Sequence, residues 1–313
     1  MSEDRYKENT FDLPQYVPGK IGVVTVTFGS AQVLPGFFES LDKQAYRNFM
    51  LVAVDNESDD DTVVQLNAYW GCEKVIISNE KNLGVAAGNN QGIRAAIAAG
   101  CEYVLLLNND VVFGSDLFQK LVDGIHEHRC DMTTPLIYYF DRRDVIWCAG
   151  GEFQRWAGFR VRHRGADTVD SGQYTEPLRV NYAPTCCILF RREVFRIVGL
   201  MDESYFVYVD DLDFLYRASN HGLRLFYLPS AKLWHKVSAL TGAESSFSVR
   251  YNTRNRAYFS AKHLRGLAYA VTSVSFLAWY YIQRVCGKYD AEMLSRKLEH
   301  RREGIELAKS QGF

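Results

Sequence analysis

The chain has 313 residues, 47% apolar and 23% charged, which is the composition of an ordinary soluble globular protein. Its net charge of −1 argues against a general nucleic-acid-binding protein, because such proteins are normally basic. Seven scattered cysteines without a CxxC pair predict neither a disulfide framework nor a zinc site. The polar N-terminus lacks the apolar core of a signal peptide, so we expect a reducing, cytoplasmic setting.

The first part of the chain alternates predicted strands with predicted helices. The apolar segments predicted as buried strands are Ile21–Phe28, Phe49–Asn56, Lys74–Ser78 and the YVLLL that opens Tyr103–Asp110. Helical spacing is found at Gly84–Ala99 and at Asp116–His128. This alternation predicts an α/β fold whose mainly parallel central sheet is covered by helices on both faces.

Polar side chains follow three of these strands at the point where each strand ends. They are Thr27, Asp55 and the Asn108–Asp110 trio, and we expect them on one rim, where ligands bind in such sheets. The segment Asn79–Ile93 is rich in glycine and asparagine, which is typical of backbone that approaches a ligand closely. It lacks GxGxxG, and the chain has no GxxxxGK[ST], so a dinucleotide-binding dehydrogenase and a P-loop enzyme are disfavoured.

The second part of the chain is less regular. From about Asp131 the alternation breaks down, and a second ordered block runs from Asn181 to His235. The predicted elements are loops at Trp147–Phe153 and Arg155–Asp167, a strand at Cys186–Phe190 and a helix from about Asp211 to His221. The chain after Arg250 is predicted to be helical.

The stretch DESYFVYVDDLDFLYRASNHG concentrates three acids directly after an aromatic run, at Asp210, Asp211 and Asp213. Three carboxylates this close repel one another if they are buried without partners. A helix N-terminus, where the dipole favours acids, is the simplest interpretation of Asp213 or Asp210. The preceding aromatic residues indicate a partly enclosed site. Arg217 lies one helical turn after Asp213 and is placed to neutralise it.

The segment Gly266–Ile282 carries no charge over 17 residues, the lower end of the membrane-spanning range. Its aromatic run at Trp279–Tyr281, beside Arg284 and Lys288, suits a membrane interface. Two interpretations stay open: a helix in the core or in an oligomer contact, and a helix bound to a membrane surface. A transmembrane span is the least favoured, because Thr272 and neighbouring serines lower the hydropathy.

Taken in order, these pieces resemble glycosyltransferase family 2, and within it the bacterial rhamnosyltransferase-like and galactofuranosyltransferase-like members. The resemblance runs from about Ile21 to Phe259. The matching segments are VVTVTFGS, VDNESDDDT, NLGVAAGNNQGI, LLLNNDV, CCILFRREVF, VGLMDESYFVYVDDLDFLYRASNHG, LPSAKLWH and RYNTRNRAYF. The resemblance implies a GT-A fold and transfer of a sugar, with inversion, from a nucleotide diphosphate donor, usually with Mg²⁺ or Mn²⁺.

The resemblance also implies roles on the donor side. Asp110 is the last residue of Asn108–Asn109–Asp110, which stands at the family's DXD motif, and would bind the metal. His235 matches a histidine that some members use as a further metal ligand. Asp55 would meet the nucleobase, with Thr27 beside the nucleoside. The other residues expected to bind the nucleotide sugar are Asn82, Gly84, Asn90, Asn108, Asn109 and Arg254.

On the acceptor side, Asp211 matches the family's general base. The further residues expected there are Asp210, Tyr208 and Trp147. Two positions depart from the family pattern. Asn108 replaces the first acid of the DXD motif, which predicts weaker metal coordination, and Thr185 replaces a common glycine, which leaves the acceptor site open.

We therefore expect an inverting transferase whose first-choice donor is dTDP-rhamnose and whose acceptor is a hydroxyl of a growing cell-surface polysaccharide or lipid-linked glycan. A galactofuranosyl- or other UDP-hexose transferase, and a non-catalytic nucleotide-sugar-binding relative, stay as alternatives. A sugar nucleotidylyltransferase is disfavoured, because no glycine-rich basic loop follows the first strand. Two contacts stay open: a peripheral one with the inner face of the cell membrane, and a homodimer through the C-terminal helices.

These expectations divide the chain into four parts. Residues 1–19 are a lead-in and residues 20–130 the nucleotide-sugar-binding half of the domain. Residues 131–249 are the acceptor-binding and catalytic half of the same domain, and residues 250–313 form a C-terminal helical extension.

Overall fold

The computed structural model describes residues 13–154, 159–236 and 245–313. Its helices are α1 (Leu34–Asp42), α2 (Thr62–Ala68), α3 (Val85–Ala98), α4 (Leu117–Glu127), α5 (Glu193–Val198), α6 (Asp210–Asn220), α7 (Ser246–His263), α8 (Gly266–Val285) and α9 (Ala291–Ser310). Its strands are β1 (Val17–Thr27), β2 (Phe49–Asp55), β3 (Glu73–Ser78), β4 (Cys101–Leu107), β5 (Val111–Phe113), β6 (Met132–Tyr139), β7 (Val145–Cys148), β8 (Gly151–Gln154), β9 (Arg160–His163), β10 (Thr168–Val169), β11 (Leu178–Val180), β12 (Cys187–Arg191) and β13 (Leu225–His235).

The central sheet has a parallel half in the order β3-β2-β1-β4, which continues through β12 and β6 to β7 and β10. Strand β12 runs antiparallel to both of its neighbours. Strand β13 pairs parallel with β6 and antiparallel with β5 and β11. The predicted α/β fold with a mainly parallel central sheet between helices is confirmed.

Alternate residues of the central strands enter two separate cores. Val24 and Leu106 face the core that contains α3, whereas Val23 and Leu105 face the core built with α1 and α4. Every residue of β2 is buried. A strand covered on both faces in this way reads as a continuous apolar run, which is why the sequence predicts these strands without an alternating pattern.

The irregular region after β6 contains more strands than the sequence predicts. The expected loop at Trp147–Phe153 includes the end of β7 and most of β8, and part of the expected loop at Arg155–Asp167 is β9. Strands β8 and β9 form an antiparallel pair. Each is only four residues long and contains charged or polar residues, so neither carries the apolar run that identifies a buried strand. Residues 155–158 lie outside the described residues.

The chain after Arg250 is helical, as predicted, but its helices differ in how they pack. Helix α7 begins at Ser246, inside the predicted acceptor half, and buries Tyr258 and Phe259 in the core that contains α3. Helix α8 leaves most of its apolar side chains exposed, so it is not a core helix of this chain. Over the residues that the structure describes, no helix has the combined length and apolar content that crossing a membrane requires.

Candidate functional site

The ends of β1 and β2 bring Thr27 and Asp55 together. The two residues are direct neighbours in the parallel register, and the Thr27 hydroxyl donates a hydrogen bond of 2.7 Å to Oδ1 of Asp55. The backbone N–H of Ser58 donates to Oδ2 of Asp55 at 3.0 Å. Asp55 is buried and is held in one orientation by the neighbouring strand β1 and by the loop that follows β2. Both side chains lie on the rim predicted from the sequence.

The end of β4 presents the Asn108–Asp110 trio on the same side of the sheet. Asn108 is exposed, whereas the buried Asn109 donates its amide N–H to the carbonyl of Val26 at 2.8 Å. Asn109 therefore holds the segment after β4 against β1. This structural role comes in addition to the predicted binding of the nucleotide sugar. Asp110 directs its carboxylate toward His235, with Oδ1 and Nε2 3.1 Å apart.

Asp110 and His235 fit a divalent cation that shares its coordination with a diphosphate. The cation prefers oxygen and imidazole ligands, and Mg²⁺ is usually held by one or two protein groups together with substrate phosphates and water. The two side chains come from the segment after β4 and from the end of β13, and both are largely buried. Among the described residues, no three His, Cys, Asp or Glu side chains converge to form a self-sufficient metal site.

Two aromatic rings extend this end of the site. The Trp147 ring packs edge-on against His235, with ring centroids 4.8 Å apart, and equally close against His163. Burial lowers the pKa of His163, which favours its neutral form. The sequence pointed to Trp147 but not to His163, because the basic surroundings of His163 look like an ordinary surface loop.

Helix α6 begins at Asp210, so Asp211 lies in its first turn. The buried Tyr182 donates a hydrogen bond of 2.6 Å from its hydroxyl to Oδ2 of Asp211. Burial raises the pKa of Asp211, while the Tyr182 hydrogen bond acts in the opposite direction. Burial, and then the charge of Asp211, raise the pKa of Asp210, whose Oδ2 has no hydrogen-bond partner among the described residues. A hydroxyl donor thus orients one carboxylate of this pair.

The turn that leads into α6 has an unusual backbone. Phe206, Tyr208 and Val209 all have positive φ angles, of 65°, 63° and 69°. A bulky or β-branched residue at such an angle costs about 1–3 kcal/mol and persists only where neighbours hold it. Tyr208, predicted on the acceptor side, lies in this turn two residues before Asp210.

Two side chains of α7 hold this turn in place. Asn255 donates through Nδ2 to the backbone carbonyls of Tyr205, Val207 and Tyr208, at 2.8, 2.7 and 2.9 Å. Arg254 donates through Nη2 to the carbonyl of Tyr205 at 2.8 Å. Arg254 therefore positions the segment in front of Asp210 and Asp211. The predicted contact of Arg254 with the nucleotide sugar stays a prediction.

The glycine- and asparagine-rich segment before and within α3 contacts the same turn. A Cβ on Gly84 would lie 2.5 Å from the carbonyl oxygen of Phe206, so here the close approach is made by the protein's own backbone. The Asn82 side chain accepts the N–H of Gly84 at 2.9 Å. Asn90 is buried and exchanges two hydrogen bonds of 2.9 Å with the backbone of Met201. These contacts explain the composition of the segment by packing, and its contacts with a ligand stay a prediction.

The third acid of the cluster, Asp213, lies in different surroundings. It is fully buried and paired with Arg217 at 2.8 Å, as predicted, and also with Lys262 at 2.9 Å and His263 at 2.6 Å. Although burial alone would raise it, Lys262 and Arg217 hold the pKa of Asp213 well below its usual range. Asp213 therefore anchors α6 against α7.

Comparison with known proteins agrees with this arrangement. Residues 22–199 match the profile of glycosyl transferase family 2. The low-salt glycan biosynthesis hexosyltransferase Agl10 of Haloferax volcanii is 23% identical over 90% of each chain. The N-acetylglucosaminyl-diphospho-decaprenol L-rhamnosyltransferase of Mycobacterium tuberculosis is 27% identical over 78% of this chain and 85% of its own. The dTDP-rhamnosyl transferase RfbF of Shigella flexneri is 23% identical over 69% of this chain and 70% of its own.

Solved structures with a similar fold are glycosyltransferases. GalNAc-T7 with UDP, GalNAc and Mn²⁺ superposes with a TM-score of 0.63 at 17% identity, over 94% of this chain and 56% of that chain. The mannosyltransferase PcManGT of Pyrobaculum calidifontis, in complex with GDP-Man and Mn²⁺, gives 0.57 at 12% identity over 96% of this chain and 92% of its own. The profile match covers more than half of the chain, and the predicted fold and family are confirmed. The chain belongs to glycosyl transferase family 2 and is a glycosyltransferase with the GT-A fold.

Proposed function

We propose that this glycosyltransferase inverts the anomeric centre, requires a divalent cation, and transfers rhamnose from dTDP-rhamnose to a hydroxyl of a growing glycan. The observation that carries the chemistry is a pair of separate acidic ends, connected by ring contacts through Trp147, His163 and Tyr182. One end pairs Asp110 with His235, and the other presents Asp211 on a Tyr182 hydroxyl. The first end suits a leaving diphosphate and the second suits an attacking hydroxyl.

At the donor end, Asp110 and His235 hold the cation and Asp55 and Thr27 receive the nucleoside. When bound, the cation supplies Lewis-acid stabilisation of the leaving diphosphate. Asn108 contributes only a neutral amide in place of a carboxylate, so the protein itself supplies little negative charge to the cation. The diphosphate of the donor then supplies much of the coordination, and we expect cation and donor to bind cooperatively.

At the acceptor end, Asp211 acts as the general base. The acceptor hydroxyl oxygen bonds to the anomeric carbon as the bond from that carbon to the diphosphate oxygen breaks with its electron pair. The hydroxyl proton passes to Asp211. The Tyr182 hydrogen bond orients the carboxylate and favours its ionised form, against the opposite effect of burial on the pKa of Asp211.

The choice of rhamnose rests on the relatives. Two of the similar proteins are named as rhamnosyltransferases, one of them for a dTDP-linked donor. Galactofuranose from its UDP-linked donor, or another UDP-hexose, is the second candidate, since the relative that matches over 90% of each chain is named only as a hexosyltransferase. We place the reaction in the cytoplasm at the inner face of the membrane, where the seven free thiols stay reduced.

A thermal-shift screen of nucleotide sugars, with and without Mn²⁺, tests the donor and the cation together. We expect dTDP-rhamnose to raise the melting temperature most, and only when Mn²⁺ is present. A UDP-sugar that stabilises more than dTDP-rhamnose would replace it as the donor. A shift independent of Mn²⁺ would remove the cation from the proposal.

The Asp110→Ala variant tests where the cation binds. It should abolish the Mn²⁺-dependent part of nucleotide binding in calorimetry. The exposed Asp123→Ala on α4 is the matched control and should bind as the parent chain does. Unchanged affinity in Asp110→Ala would assign the cation to other residues.

A further inference from the structure

Strands β8, β9 and β11, together with the segments that follow β9 and β11, line a pocket of about 310 Å³. This volume is at the lower end of the range for small-molecule sites, about 300–1,000 Å³, and is large enough for one sugar ring with its substituents. Among the described residues that line it, none belongs to the donor end and none is the proposed base. The polar part of its wall includes Glu152, Arg162, Arg164, Tyr174, Arg179 and Asn181.

The wall of this pocket carries more positive than negative charge. The described residues that line it contribute three guanidinium groups, from Arg162, Arg164 and Arg179, and one carboxylate, from Glu152. Nη1 of Arg162 and Oε1 of Glu152 are 4.0 Å apart, and both side chains are exposed. A long, exposed ion pair of this kind contributes little free energy, so it competes weakly with a ligand. The pocket therefore attracts an anion.

Arg164 is held in place by aromatic rings. Its guanidinium carbon lies 4.6 Å from the centroid of the Tyr174 ring and 5.8 Å from the centroid of the Tyr227 ring. Its buried Nη1 has no hydrogen-bond partner among the described residues. Stacking on rings fixes the guanidinium and leaves its positive charge without a carboxylate. A planar guanidinium fixed in this way is pre-organised to bind a carboxylate or a phosphate.

The same wall offers contacts to a sugar ring. The partly buried Tyr174 packs so closely on Gly165 that an added Cβ there would lie 2.6 Å from Cε2 of the tyrosine ring. The Asn181 Oδ1 accepts the N–H of Phe153 at 2.9 Å, which fixes the amide and leaves its own N–H groups for a hydroxyl. An aromatic ring beside a fixed amide suits a sugar, whose C–H groups pack on the ring while its hydroxyls form hydrogen bonds.

The pocket lies behind the layer of chain that carries Tyr182. Gly151 lines the pocket and pairs with Tyr182, whose hydroxyl holds Asp211. Successive side chains of a strand point to opposite faces. Arg162 therefore turns toward the pocket, while His163 turns its ring onto Tyr182, with ring centroids 5.8 Å apart. A ligand in the pocket is thus separated from the base by one layer of chain.

We propose that this pocket binds an acidic sugar of the acceptor glycan, a hexose ring with a carboxylate or phosphate substituent, at a position remote from the reacting hydroxyl. This assignment rests on the proposed transferase function and names the chemical class of its acceptor. Arg164 and Arg179 hold the anionic substituent, and Tyr174 and Asn181 contact the ring. Binding energy from a remote part of the substrate helps to position the hydroxyl that reacts at Asp211.

Ligand-observed NMR with small probes, on the full chain and without Mn²⁺, tests the pocket. The probes are glucuronic acid, glucose 6-phosphate, glucose, acetate and inorganic phosphate. We expect one of the two acidic sugars to bind about tenfold more tightly than the last three probes, since only the acidic sugars join an anion to a ring. The tighter of the two identifies the anionic substituent. Equal binding of glucose, acetate or inorganic phosphate, or no binding of either acidic sugar, would overturn the proposal.

Variants of the wall separate this pocket from other cationic surfaces. Arg179→Gln removes an exposed guanidinium from the wall and should weaken acidic-sugar binding about tenfold, the value of one charge-assisted hydrogen bond. Glu152→Gln removes the carboxylate of the wall and should strengthen it. The matched control is Arg196→Gln, which removes an exposed guanidinium on α5 outside the wall and should bind as the parent chain does. Equal binding by Arg179→Gln and Arg196→Gln would remove the pocket from the proposal.

Transfer assays distinguish this inference from the proposed function. Release of nucleoside diphosphate, from the nucleotide sugar that gives the largest thermal shift with Mn²⁺, is compared for oligosaccharide acceptors with and without acidic sugars. We expect acidic acceptors to be preferred and Arg179→Gln to lower their kcat/KM about tenfold. Preference for neutral acceptors would overturn the inference while the function stands. Binding of acidic sugars without any response to nucleotide sugars would overturn the function and leave the pocket.

Discussion

Helix α6 carries three carboxylates in its first turn, and the surroundings of these carboxylates differ. Asp213 is buried among Arg217, Lys262 and His263, and its pKa is held well below the usual range. Asp210 and Asp211 have no such cluster of cations, and burial raises the pKa of both. The three aspartates lie within four positions of one another in the sequence. Their residue type and position in the chain therefore do not explain why their pKa values shift in opposite directions.

The difference follows from which element packs on each side. Helix α7 supplies Lys262 and His263 to Asp213, and it also supplies Arg254 and Asn255, which hold the strained turn before Asp210. A single helix thus stabilises one carboxylate as an anchor and also fixes the backbone turn that leads into the other two. Carboxylates whose pKa is raised by burial and that no cation neutralises are candidates for a functional site.

The largest expected effect comes from Asp211→Asn, which removes the base and keeps the shape. Turnover should fall by about 10²–10⁴-fold, the usual value of general-base catalysis. Release of nucleoside diphosphate in the presence of acceptor measures the turnover, and calorimetry should find the donor affinity unchanged. Near-normal turnover would assign the base to another residue.

The Asp213→Asn substitution tests the role of Asp213 as an anchor between α6 and α7. The substitution leaves Arg217 buried without its carboxylate and Lys262 with Asp202 as its remaining one, and removing one partner of a buried ion pair destabilises by about 3–5 kcal/mol. Urea unfolding at neutral pH measures the loss, with the exposed Asp123→Asn on α4 as a control for charge removal alone. A midpoint equal to that of the parent chain would mean that the pairs contribute no net stability.

In contrast to Asp213→Asn, the Asp210→Asn substitution is expected to stabilise the folded chain. Because the folded-state pKa of Asp210 is raised, the folded chain holds a proton that the unfolded chain releases, and stability falls as the pH rises above the ordinary aspartate pKa of about 3.9. The variant lacks this loss, so it should be more stable by about 1–3 kcal/mol at high pH, where the unsatisfied Oδ2 is charged. Melting temperatures across the pH range should converge below about pH 4. A variant that is less stable at every pH would show that Asp210 has partners when ionised.

The smallest effect is expected from Tyr182→Phe. Loss of the hydroxyl removes a hydrogen bond that favours the charged form of Asp211, so the pKa of Asp211 should rise. The acid limb of the pH profile for kcat should therefore move to higher pH by about one unit, equivalent to about 1.4 kcal/mol. Turnover well above this limb should change little. An unmoved limb would mean that a different group titrates in it.

Local sequence patterns were enough to predict the polar rim at the ends of the parallel strands. Thr27 and Asp55 are the last residues of apolar strands and Asp110 lies three residues after another, and the ends of parallel strands meet at one edge whatever the rest of the chain does. The pairing of Asp213 with Arg217 is equally local, since residues four apart share a helix face. For the same reason the sequence predicted α3, α4 and α6 close to their observed ends.

Contacts between segments that are distant in the sequence could not be predicted in the same way. Tyr182 reaches Asp211 across 29 residues, and Asn255 reaches Tyr208 across 47. Neither Tyr182 nor Asn255 stands in a local pattern that indicates such a contact. The short strands β8 and β9 were missed because only their pairing with each other identifies them.

The first strands in chain order, the acids at their ends and the family can all be predicted from the sequence. They depend on short motifs, whose residues lie only a few positions apart. The tertiary structure decided which of three adjacent carboxylates is neutralised and which two remain perturbed. It also decided that the apolar residues of α8 face outward. Burial and long-range partners set the charge state of a side chain, and both exist only after the helices have packed.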